Sequence, residues 1–276
     1  MRRVTVAPRG CAKVPVVLAF ERSGSGEPLI LIHGVGHRRQ AWYPVRDLLT
    51  PHRDVILVDL PGHGESPPLE LNGRSVADAL TDYLREFLKD LSLESPHIGG
   101  NSLGGRIALE AAVHGDARSA TALSPAGFWR SRLEFAYTEK LFNLVSASSR
   151  TMGSRVGTLS RTAAGRTMML SWLNAHPGSV TPEMAVGDFH AFQAAQPALK
   201  MVLAGAIEFS GTIPEDVPVT IAWGTRDTVL PVRQLKWAHQ LIPSATCIRL
   251  PSCGHMPMSD RPRLVADVLL RGSAPV

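Results

Sequence analysis

The apolar positions of the chain fall into two periods. Leu29-Ile30-Leu31-Ile32 and Val55-Ile56-Leu57-Val58 are unbroken apolar runs. Such runs fit strands of a parallel sheet buried on both faces. His97-Ile98-Gly99-Gly100 and Ala120-Thr121-Ala122-Leu123 are weaker strand signals. Between them the period becomes helical. Val76, Leu80, Tyr83, Leu84, Phe87, Leu88 and Leu91 fall on one stripe, which predicts a helix over 75–91. Ser75 suits its N-cap and Asp78 its first turn. A second helix is predicted from Leu103 to His114, with Gly115 as the residue that ends it.

Beyond Ala126 the pattern changes. From Ala126 to Gly211 no β-branched run occurs, and Met152, Met168, Met169, Met184 and Met201 are spread through helical stretches such as Leu133 to Val145. This segment is expected to be a helical insertion. Strand character returns at Val217 to Trp223, followed by a helix near Val232 to Leu241 and a strand at Thr246 to Leu250. A last helix is expected from Arg263 to Arg271, with Gly272 to Val276 fraying. Alternating strands and helices on both sides of the insertion predict an α/β fold, a mostly parallel central sheet covered by helices. The expected division is a core of residues 1–125 and 212–276 with a helical cap of residues 126–211.

Composition adds exclusions. The chain has 276 residues, 44% hydrophobic and 19% charged, so it can build a large core and is not a disordered chain. Three cysteines are too few for a disulfide scaffold. No apolar stretch approaches the ~20 residues that cross a bilayer. The net charge of +5 is diffuse, without a basic run, so neither nucleic acid nor a membrane is expected as a partner. Met1-Arg2-Arg3 opens the chain, but Pro8, Arg9, Lys13 and Pro15 interrupt any secretory h-region. The start reads instead as a pair of strands, and a cytoplasmic protein with reduced thiols is expected. Nothing in the sequence bears on oligomeric state.

The chemistry concentrates at three places. Gly100-Asn101-Ser102-Leu103-Gly104 fits G-x-S-x-G between a predicted strand and a predicted helix. A tight strand-to-helix turn pushes the serine into a strained backbone, and the flanking glycines avoid clashes. A serine is a weak nucleophile without a base. His255 lies in Cys253-Gly254-His255, after the last strand, where open α/β sheets place their sites. Asp227 follows the strand ending at Trp223 and suits the acid that orients an imidazole. Asp216 reads as a turn acid and Asp260 as a cap or turn residue of the last helix. Oxyanion donors are expected from the backbone N–H of Leu103 and from Val35, in the loop His33-Gly34-Val35-Gly36 after the first apolar run. His33 and His37 have neither helical alignment nor a third partner, so no metal is expected, and the chemistry calls for no cofactor.

These residues together resemble the α/β-hydrolase superfamily of serine hydrolases. The order Ser102, Asp227, His255 matches its nucleophile, acid, base order. Asp59-Leu60-Pro61-Gly62-His63-Gly64-Glu65-Ser66 resembles its D-x-x-G-x-G-x-S loop, and the insertion falls where that family carries a helical cap. Ser102 differs from the aspartate nucleophile of haloalkane dehalogenases and epoxide hydrolases. Carbon–carbon hydrolases of meta-cleavage products share a similar elbow, but tend to have Gly-Pro-Gly in the oxyanion loop and Trp after the histidine. Here those positions read Gly36-His37-Arg38 and His255-Met256-Pro257. The run Gly254 to Met258 resembles small-molecule carboxylesterases and enol-lactone hydrolases. The resemblance implies a serine hydrolase acting on a small ester or lactone. Carbon–carbon cleavage, other acyl chemistry on the same triad, or a ligand-binding protein on this fold are the alternatives.

Gly34, Trp129, Met169 and Trp172 are candidate substrate contacts. Phe189, Phe192 and the methionines are candidates for an apolar pocket or for the cap's own core. Arg130, Arg132, Arg150, Arg155, Arg161 and Arg166 read as solvated face, or as partners for a substrate carboxylate. Cys11, Cys247 and Cys253 read as structural thiols.

Overall fold

The computed structural model describes residues 18–205 and 208–274. Its elements in chain order are β1 (Phe20–Gly24), β2 (Pro28–Ile32), α1 (Tyr43–Leu49), β3 (Asp54–Val58), α2 (Val76–Asp90), β4 (His97–Asn101), α3 (Leu103–Val113) and β5 (Ser119–Leu123). Helices α4 (Arg132–Met152), α5 (Val156–Ser160), α6 (Ala163–Leu170), α7 (Pro182–Ala194) and α8 (Gln196–Ala204) follow. The chain then returns through β6 (Val219–Gly224), α9 (Gln234–Leu241), β7 (Thr246–Leu250), α10 (Pro257–Asp260) and α11 (Pro262–Gly272). The helical insertion between β5 and β6 is therefore present. The proposed N-terminal strand pair and Cys11 fall largely or wholly among residues 1–17, outside the described residues.

The seven strands form one sheet in the order β1-β3-β2-β4-β5-β6-β7, parallel except for β1 against β3. Alternation along each apolar run builds the layers. Leu29, Leu31, Val55 and Leu57 point to one face, under Trp42, Val45 and Leu49 of the α1 region and Val265 and Leu269 of α11. Ile30, Ile32, Ile56 and Val58 point to the other face, where α2 and α3 pack, with α9 farther along against β6. Ser75 caps α2 by accepting the Asp78 N–H at 3.1 Å.

The strand order positions the site. From β2 the chain steps outward to β3, then crosses back over β2 to reach β4. The carboxyl ends of β2 and β4 therefore flank the switch point, where doubly wound sheets open a crevice. The loop after β2 is Gly34–His37, and the residue after β4 is Ser102.

One helix is new and one expectation changes. Helix α1 carries no long amphipathic stripe by which the sequence would predict it; Pro44 sits in its first turn, where proline is tolerated. Gly272 and Ser273 do not fray. Gly272 lies in the last turn of α11 so close to Thr121 that a Cβ would overlap its hydroxyl. Ser273 accepts from Arg53 through its hydroxyl at 3.1 Å and its carbonyl at 2.5 Å.

Candidate active site

Ser102 has φ 55° and ψ −115°, a conformation that costs a non-glycine residue roughly 1–3 kcal/mol. The surroundings hold it there. Its N–H donates to the Leu123 carbonyl at 2.9 Å, and its carbonyl accepts from Arg106 and Ala126, each at 3.0 Å. The turn needs glycine on both sides: a Cβ on Gly100 would overlap the backbone of Gly104, and one on Gly104 the carbonyl of Ile32. Leu103 opens α3, so its N–H has no partner inside that helix.

The loop after β2 faces this elbow. Gly34 to His37 is a tight turn closed by the His37 N–H on the Gly34 carbonyl at 3.2 Å, with Gly36 at φ 76°. The Gly36 N–H donates to His63 Nε2 at 3.0 Å. That leaves the Val35 N–H as the central donor of the turn without a hydrogen-bond partner among the described residues. Two buried histidines brace the loop. His63 donates from Nδ1 to the Pro61 carbonyl at 2.9 Å, and His33 donates from Nδ1 to the Gly34 carbonyl at 2.7 Å while accepting the Leu60 N–H at 3.0 Å. Burial pushes His33 well below the ordinary histidine range and His63 down to about 4. Each ring therefore stays neutral with a fixed tautomer, a structural role that leaves no lone pair for a metal.

His255 and Asp227 come from the loops after β7 and β6. His255 Nδ1 donates to Asp227 Oδ2 at 2.9 Å, and both side chains are buried. The other Asp227 oxygen accepts the N–H groups of Val229 at 2.9 Å and Leu230 at 2.8 Å. With Nδ1 protonated toward the carboxylate, Nε2 is the atom free to act as a base. Asn101 ties the elbow to the histidine loop, donating to the carbonyls of Leu123 at 3.1 Å and His255 at 2.9 Å.

Residues 29–268 match the Alpha/beta hydrolase family. The chain belongs to that family. It is 28% identical over 269 residues to a pimeloyl-[acyl-carrier protein] methyl ester esterase of Nitrosospira multiformis, covering 92% of this chain and 97% of that one. A thermophilic esterase from Thermogutta terrifontis superposes with a TM-score of 0.63 at 22% identity, over 92% of each chain. The meta-cleavage product hydrolase CumD superposes at 0.66 with 22% identity, over 92% of this chain and 94% of that one. At such identity the two structures share the fold with this hydrolase.

The hydrolase carries a cavity of about 410 Å³ between the sheet and the insertion. Gly34, Val35, Ser102 and His255 line its floor. Met169, Trp172, Phe189 and Phe192 are among the insertion residues that line the rest. Trp129 instead borders a smaller space of about 40 Å³ that reaches Val35, Ser102 and Leu103. Its indole N–H donates to Thr138 at 3.2 Å and its ring packs edge-on against Phe135. None of the six insertion arginines considered for a substrate carboxylate lines the larger cavity. Arg166 is turned to the carbonyls of Ser160 and Gly178.

Asp260 does not cap the last helix, whose N-cap is Arg261 without a side-chain bond. Its carboxylate accepts the N–H of Gly254 at 2.7 Å, Ala175 at 2.9 Å and His176 at 2.8 Å. It thus clasps the histidine loop to the stretch between α6 and α7. The Met256 N–H on the Leu173 carbonyl at 3.0 Å and the Thr228 hydroxyl on the Trp172 carbonyl at 2.9 Å add two further ties. The sequence does not show this because the partners are backbone groups, two of them some eighty residues away. The Cys253 thiol beside it is buried and pushed up to about 12 by burial and by Asp260, which makes it a poor nucleophile.

Proposed function

We propose that this hydrolase cleaves carboxylic esters or lactones of small, largely apolar molecules through an acyl-enzyme on Ser102. Ser102 Oγ attacks the carbonyl carbon and His255 Nε2 takes the proton. Asp227 holds the ring and stabilises the imidazolium. The N–H groups of Val35 and Leu103 receive the oxyanion. The carbonyl re-forms as the alcohol leaves with the proton from His255. Water, activated by the same histidine, then releases the acid. The core of residues 1–125 and 212–276 supplies these groups, and the insertion of residues 126–211 acts as a cap that shapes the acyl site.

One observation carries the reading. A strained serine and a histidine oriented by a buried aspartate line the same apolar cavity, beside a turn whose central N–H has no partner among the described residues. The relative named as a methyl ester esterase supports ester chemistry. Carbon–carbon cleavage of a charged dienoate fits less well, because no arginine or lysine lines the cavity.

The test is hydrolysis of p-nitrophenyl esters from acetate to octanoate by the wild type and by Ser102→Ala. The expected result is turnover by the wild type that falls at least about 10³-fold in the variant. A folded wild type without turnover, or a variant as active as the wild type, overturns the proposal.

A further inference from the structure

Two spaces with different walls reach Ser102. The larger, of about 410 Å³, is bordered by both Ser102 and His255. The smaller, of about 40 Å³, is bordered by Ser102, Leu103, Trp129, Leu203 and Leu230 among others, and not by His255. Phe142 stands in the wall of both. The smaller space is apolar. Besides Ser102, its polar side chains are Trp129 and Thr138, and these are already paired. The Trp129 indole N–H donates to the Thr138 hydroxyl at 3.2 Å, and that hydroxyl donates to the Glu134 carbonyl at 3.3 Å.

From this division we infer that the ester places a short, unsubstituted acyl group, acetyl to butanoyl, in the smaller space and a larger apolar alcohol part in the cavity. The inference rests on the ester hydrolase reading above and deepens it by assigning the two halves of the substrate. The carbon attacked by Ser102 Oγ carries three other groups: the oxyanion, the alkoxy oxygen and the acyl tail. In that reading the oxyanion lies at the N–H groups of Val35 and Leu103. The alkoxy oxygen leaves with the proton of His255 Nε2, so it lies within ~3.2 Å of that atom. His255 borders the larger cavity alone, which sends the alcohol part there. The acyl tail takes the remaining direction, past Leu103 into the smaller space.

Volume then sets the length of the tail. A water-sized group occupies about 10–15 Å³ of such space, so about three carbons fill it. A butanoyl tail fits and a hexanoyl tail overfills it. The paired Trp129 and Thr138 leave nothing to bind a hydroxyl or a charge on the acyl group. Trp129, braced edge-on by Phe135, and Leu203 are the specificity-determining residues, because each closes the smaller space without bordering the larger one.

The experiment compares kcat/KM for two isomers, hexyl acetate and ethyl hexanoate, in the wild type, Trp129→Ala and Leu203→Ala. The isomers share one composition and differ in which half is long. Their ratio within one protein cancels differences in active fraction. The expected wild-type ratio favours hexyl acetate about tenfold or more. In at least one variant it is expected to fall at least about threefold, because part of the wall that excludes the longer acyl tail is gone. A variant that only disturbs the fold slows both isomers alike and leaves the ratio where it was. The p-nitrophenyl series repeats the comparison with a fixed alcohol part, and kcat/KM is expected to drop about tenfold or more from butanoate to octanoate. A wild-type isomer ratio near one or favouring ethyl hexanoate, or a p-nitrophenyl series that rises to octanoate, overturns the division while the ester hydrolase reading stands. So does a preference that neither variant reduces. A folded wild type that hydrolyses none of these esters overturns that reading, and the division with it.

Discussion

His63 couples loop geometry to proton uptake. Its Nε2 accepts the Gly36 N–H in the turn that presents Val35, and burial holds it at about 4 against an ordinary 6.5. The folded form therefore binds this proton less readily than the unfolded chain. Stability contributed by the neutral ring is complete above pH 6.5, falls as the pH drops, and is fully lost below about 4. A difference of this size corresponds to about 3 kcal/mol at most. Urea unfolding of the wild type across pH 7 to 4 should show the midpoint falling, and His63→Gln should flatten that fall. An equal pH slope in the variant assigns the effect to other groups. The nearby D-x-x-G-x-G-x-S loop was legible as a marker, but its physical role was not. Asp59 is fully buried, accepts the Arg39 backbone N–H at 2.6 Å and pairs with the Arg39 guanidinium. Those partners lie twenty residues earlier, in a stretch without a readable period.

At the scale of elements, Asp260 is the counterpart of a hinge pin. One carboxylate at the end of α10 collects backbone donors from the histidine loop and from the α6–α7 connection. In Asp260→Ala these donors lose their acceptor, and an expected loss of about 1–3 kcal/mol should appear in urea unfolding. Ester turnover should fall with it, since Gly254 precedes His255. A stability change under about 0.5 kcal/mol would show that water replaces the carboxylate without cost. Strands β2 and β3 were readable because buried parallel strands leave unbroken apolar runs, whereas β4 and β5, rich in small residues, left weaker signals. The elbow was readable because glycine is required on both sides of Ser102. The insertion was readable only as helical. Which residues its helices turn toward Ser102 depends on packing between elements far apart in sequence, as the separate placement of Trp129 and Trp172 shows.

For the whole molecule, the sheet order explains why chemistry from distant parts of the chain converges. Crossing from β3 over β2 to β4 sets the Val35 loop beside Ser102, and the parallel additions of β6 and β7 bring Asp227 and His255 to the same edge. Among the described residues, no helix is long and apolar enough to cross a membrane. The exposed apolar side chains include Leu144 and Met168, which also border the cavity. The cavity wall thus includes exposed apolar side chains, which suits the proposed apolar substrate.

The central claim is that Ser102 is a nucleophile activated by His255. Reaction with a fluorophosphonate tests it without knowledge of the substrate, because the reagent captures an activated serine directly. Intact-mass measurement followed by peptide mapping should find one adduct per chain, on Ser102. It should be absent in Ser102→Ala and at least about 10²-fold slower to form in His255→Ala. A folded wild type that stays unlabelled, or an adduct on another residue that persists in Ser102→Ala, would contradict the account.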